Sequence, residues 1–159
     1  MSKTREDYIL NLTSRINSVI KAALKLRKSG YLIEAEETLD DALLTLMPDQ
    51  ADFIEIMNHN TVVAVLADPR LVLSYVELLL ERAETKISLG EDAHAEKIQT
   101  RAIKIFMKNL SHSPGLNVMG QIIWGRISGM ELRLLLSESE FREWEGLQSQ
   151  IETGAINLG

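Results

Sequence analysis

Two residue pairs in this chain have the spacing of metal ligands. Glu91 and His94, in "EDAH", stand three apart, the E-x-x-H spacing of di-metal sites in helical bundles. Glu55 and His59 stand four apart, which also suits one helical face. A di-metal site needs a second E-x-x-H motif and two more inward carboxylates. The chain has three histidines and no second such motif. Glu91 and Asp92 also stand where a helix begins, and acids there complement the helix dipole. The reading is therefore no metal and no cofactor.

Other reactive types fare no better. Ser111, His112 and Ser113 are adjacent in a linker-like stretch, which is not a catalytic geometry. No phosphate loop, nucleophile elbow or triad pattern occurs. Lys21, Lys25 and Lys28 share one face of a helical pattern, and Glu34, Glu37 and Asp41 share a face of the next. They could form a basic patch for an acidic ligand. The preferred reading is that cations at a helix C-terminus and anions at the next N-terminus complement the dipoles and pair across the hairpin. Basic and aromatic residues are not interleaved as single-stranded nucleic acid requires, and a net charge of −6 also argues against phosphate-backbone binding.

The elements that would carry these residues are helical. Apolar residues recur every three or four places. The runs are Ile9, Leu12, Ile16, Val19, Ile20, Ala23 and Leu26; then Ala35, Leu39, Ala42, Leu43 and Leu46. Two more follow: Val72, Tyr75, Val76, Leu79, Leu80, Ala83 and Ile87; then Ala95, Ile98, Ala102, Ile105 and Phe106. Each is a one-sided amphipathic helix. Pro48, Pro69 and Pro114 fall between periodic segments. The stretch 50–66 is less regular. "NHN" at 58–60 interrupts it, Asn60 is the expected cap, and "TVVAVL" reads as a short buried helix because no strand-like partner exists. The 159 residues suffice for one domain with a core, or a small domain with an appendage. No apolar run approaches the roughly 20 residues that span a bilayer. The first ten residues lack the apolar core of a secretory signal, and there is no cysteine. Cytoplasmic location and no membrane are the expectations.

Gly30 and Gly90 are the only glycines before residue 115. Shifted by sixty places, Ala23, Gly30, Ala35, Glu36, Ala42 and Met47 fall on Ala83, Gly90, Ala95, Glu96, Ala102 and Met107. Each glycine stands between two helical patterns, where the residue closing the first helix often takes φ > 0. The alanines stand where antiparallel helices approach closely. A small residue, glycine seven on, alanine five further and alanine seven beyond resembles the tetratricopeptide repeat (TPR). The match covers 19–47 and 79–107, with Gln99 departing where Leu39 holds the bulky position. True TPRs recur at 34 residues, whereas these copies carry an extra helical segment between them. "DYI" at Asp7 to Ile9, the turn Gly30, Tyr31 and Ala35, and "LADP" from Leu66 to Pro69 with Leu71 also resemble an uncharacterised family of small bacterial TPR-like proteins. The resemblance implies an all-α right-handed stack of antiparallel hairpins and supplies no activity.

The organisation expected is a TPR-like domain at 1–110, a linker at 111–117, a C-terminal helical pair at 118–152 and a frayed tail at 153–159. The pair reads as one helix from about Val118 to Leu136. A second helix opens at a Ser137/Glu140 capping box and carries Phe141, Trp144, Leu147 and Ile151 on one face. Seven of nine glycines lie after residue 114. Gly125 and Gly129 share a helical face beside Ile122 and Trp124, and each costs about 0.8–1 kcal/mol of helix propensity. One reading buries this helix between the body and the last helix. The sharper one makes Ile122, Trp124, Gly125, Gly129 and Trp144 a homodimer interface. The function expected is a non-enzymatic interaction module or scaffold with an unknown protein partner. The alternatives are a TPR-type secretion chaperone for an unfolded protein and a metal-dependent bundle enzyme.

Overall fold

The structure, a computed structural model, describes residues 2–112 and 115–154. The chain is all-α. The helices are α1 (Ser2–Lys28), α2 (Leu32–Leu46), α3 (His59–Leu66), α4 (Pro69–Ser88), α5 (Asp92–His112), α6 (Val118–Ser128), α7 (Leu132–Leu135) and α8 (Glu138–Glu152), with a 3₁₀ turn at Ile54–Ile56. Among the described residues no helix is long and apolar enough to cross a membrane. Ser113 and Pro114 of the expected linker, and residues 155–159 of the expected tail, lie outside the described residues.

The two glycine turns match bond for bond. Gly30 has φ +87° and Gly90 has φ +78°. At the first, Tyr31 N–H donates to Leu26 O at 2.9 Å and Gly30 N–H to Arg27 O at 3.1 Å. At the second, Glu91 N–H donates to Lys86 O at 2.9 Å and Gly90 N–H to Ile87 O at 3.0 Å. Both are Schellman closures, in which the left-handed residue lets two late N–H groups satisfy carbonyls of the last turn. A Cβ at either position would meet nothing within 4 Å, so conformation, not space, demands glycine there. Ala23, Ala35, Ala42, Ala83, Ala95 and Ala102 are all buried in the hairpins.

Helix α4 is the centre. It packs on α1 and α2 before it, on α5 after it, and on α3 and α6. Its burial is nearly all-round, from Leu71 to Thr85. Ion pairs define the directions. Glu6 meets Arg70 at 2.5 Å and Arg27 meets Glu81 at 3.3 Å, so α1 and α4 run parallel. Glu36 meets Lys86 at 2.5 Å and Asp40 meets Arg82 at 3.0 Å, so α2 runs antiparallel to α4.

Three expectations need correction. Asn58, not Asn60, caps α3, accepting from Thr61 N–H at 2.8 Å; Asn60 lies inside the helix. The cross-hairpin pairing does not form. Glu34, Glu37 and Asp41 are exposed on α2, turned away from Glu36 and Asp40, which pair with α4. The expected helix 118–136 is two pieces. Gly129 caps α6, with its N–H directed to Arg126 O and Ile127 O. The chain then turns so that Leu132 and Leu136 are buried, and Thr100 Oγ1 on α5 donates to Leu135 O at 2.9 Å. The C-terminal helices belong to the same core as the hairpins: Ile123, Ile127, Leu132, Leu136, Trp144 and Leu147 join it.

Candidate functional site

Glu91 turns to Lys86 at 3.3 Å, and His94 is exposed. Glu55 lies in the 3₁₀ turn and pairs with Arg82 at 3.2 Å, whereas His59 opens α3. The interrupted helix thus removes the i, i+4 relation that linked them. Among the described residues no three His, Asp or Glu side chains gather as metal ligands. Ser111 and His112 still belong to α5, and each side chain bonds a carbonyl one turn back, at 3.1 and 2.8 Å.

One cleft, of about 420 Å³, lies between α3, α5 and α8, lined by His59, Lys104, Lys108, Glu140 and Glu143 among others. Two of its charges are engaged with each other. Glu140 pairs with Lys104 at 2.7 Å and also accepts from Ser137 N–H at 2.8 Å in the capping box. Desolvation pushes the Glu140 carboxyl up, but these partners outweigh it and leave its pKa lowered. His59 is held below its ordinary pKa by burial first and then by Lys104 and Arg101.

Another cavity, of about 380 Å³, is a groove between α1, α4 and α6. Val118, Met119, Ile122 and Ile123 supply its apolar side, and Asn17, Lys21, Glu77 and Arg126 its rim. Burial raises the pKa of Glu77, against the pull of Arg126 and Lys21. Beside the groove Val118 is 73% exposed and Ile122 61% exposed, one turn apart. Lys21, Lys25 and Lys28 are exposed along α1, and among the described residues no ion pair engages them. Apolar surface residues standing singly are ordinary; here two stand together on an apolar groove.

Of the residues named for an interface, the structure separates two sets. Trp124 and Trp144 are turned inward and stack on each other, with centroids 4.2 Å apart at 13°; Phe106 lies 6.4 Å from Trp124. This stack fastens α6 and α8 to α5. Ile122, Gly125 and Gly129 face out. Sequence reasoning missed Asn17 and Glu77, which read as ordinary surface positions of helices, and Arg101. The Arg101 guanidinium donates to Met57 O at 2.9 Å and to Ile54 O, closing the 3₁₀ turn onto α5. No local pattern signals such a contact, because the carbonyls it satisfies lie more than forty places away.

Comparison with known proteins returns no matching family model, no matching curated protein and no matching solved structure.

Proposed function

We propose that the chain is a non-enzymatic, cytoplasmic protein-interaction module built as a TPR-like stack. The observation that carries the reading is the groove between α1, α4 and α6 with Val118 and Ile122 standing bare beside it. Apolar side chains left in water beside a groove are the groups that gain most when a partner covers them. The order of packing supports the TPR-like part. Helix α1 lies on α2, both lie on α4, and α4 lies on α5. A stack of hairpins has that order when the first helices run parallel. The matching glycine closures support it too.

Affinity capture from the source cells with the chain as bait tests the reading, with Ile122→Asp as a second bait. The expected result is a protein retained by the unaltered bait and lost with Ile122→Asp. Identical captured sets for the two baits would overturn it.

A further inference from the structure

The exposed face of α6 has an order to it. Val118, Ile122, Gly125 and Gly129 fall within about 60° of one another around the helix, at 100° per residue. Two large apolar side chains occupy its first half and two glycines its second. A Cβ at Gly125 would meet nothing within 4 Å, and one at Gly129 only its own helix carbonyls, at 3.6 and 3.8 Å. Both have negative φ, so the backbone does not require glycine at either. Gly129 also ends α6, but among the described residues nothing accounts for Gly125, which costs the helix about 1 kcal/mol relative to alanine.

From this we infer that the partner of the surface is a second copy of the chain, docked α6 against α6 in antiparallel register about a twofold axis. This rests on the interaction-module reading and names its occupant. In an antiparallel pair the residues that face each other have numbers of constant sum. Val118 with Gly129 and Ile122 with Gly125 give 118 + 129 = 122 + 125 = 247. One register therefore seats both large side chains of each copy over both glycines of the other. The ridge fills the notch, twice, and the backbones approach closely.

The charges agree. The ridge itself carries none, and Arg126 and Glu77 of the same chain both line the groove beside it. Antiparallel helices place the positive N-terminal end of each beside the negative C-terminal end of the other. Glu131, exposed and in no ion pair among the described residues, lies three residues past that C-terminal end, where the partner's α6 begins. A carboxylate beside a helix N-terminus is favourable. The patch is small, so the dimer belongs to the weak class that buries less than about 1,200 Å² in total.

The chain has no cysteine, so single-cysteine variants give clean cross-links. Val118→Cys and Gly129→Cys are mixed in equal amounts under mild oxidation. Directly opposed positions come within disulfide reach. In the same register each variant's own two copies are offset by 11 residues, about 16 Å along the helix. The expected result is a mixed disulfide in the mixture and none in either variant alone. Light scattering on the unaltered protein should show a rising mass through tens of micromolar, with Gly125→Leu weakening association at least ~10-fold. A self-link of Val118→Cys, a mixture that links no more than its components, or a monomer throughout that range would each overturn the inference. If it falls while capture still depends on Ile122, only the second copy is wrong and the module reading stands.

Discussion

Gly30 and Gly125 occupy two regions that treat the same residue in opposite ways. At Gly30, as at Gly90, φ is positive and two closure bonds depend on it. At Gly125 the backbone is ordinary helix, the site is exposed, and the surrounding space is empty. In the hairpin body glycine solves a problem within the chain. In α6 it creates a local cost without an internal return. A glycine is thus explained by its φ in one region and not in the other.

The comparison requires α6 to be firmly held and not a loose end. Trp144 is 2% exposed and stacks on Trp124, so Trp144→Ala should lose about 3–5 kcal/mol in a denaturant melt. A loss near zero would mean that α6 and α8 are not part of the core, and the contrast with the body would dissolve.

The glycines themselves should split in sign. Gly30→Val and Gly90→Val should each cost at least ~1 kcal/mol, because a β-branched residue tolerates positive φ poorly. Gly125→Ala, measured dilute enough to be monomeric, should instead gain about 0.8–1 kcal/mol. The same sign for all three would refute the distinction.

A left-handed helix end that is not glycine sharpens it. Ala67 closes α3 at φ +64° without being glycine. A Cβ in that conformation costs about 1–2 kcal/mol, partly offset by the greater unfolded-state freedom of glycine. Ala67→Gly should therefore raise stability by about 0.5–1 kcal/mol, and an unchanged melt would show that the turn is relaxed with alanine.

The smallest effects distinguish the two clefts by pH. The folded pKa of His59 is lowered by burial and neighbouring cations. Its contribution is complete above the unfolded value near 6.5 and is lost as pH falls through the lowered folded value. Glu77 has the opposite sign. Its folded pKa is raised by burial, so its contribution is complete below the ordinary glutamate value and is lost as pH rises through the raised one. Melts at several pH values should show His59→Gln reducing the acid-side loss, and Glu77→Gln stabilising near neutrality. The reverse order would contradict the assigned burial of both groups.

The helices, their apolar faces and the two glycine turns were legible in the sequence, because periodicity and positive-φ closure are properties of a few consecutive residues. The sixty-place register of glycine and alanine likewise needed no coordinates. The Ser137 capping box is equally local, and it forms as read. Packing decided the rest. Which acids of α2 find cations depended on which side meets α4, and that selected Glu36 and Asp40 over Glu34, Glu37 and Asp41. Whether the C-terminal tryptophans faced in or out depended on α5 offering Phe106 beneath them. The break after Ser128 depended on burying Leu132 and Leu136. Sequence fixes a helix's own period and ends through neighbours in the chain; the face that becomes core, the pairs that charges make and the ridge left bare are set by elements tens of residues away, because burial is a property of the assembled surface.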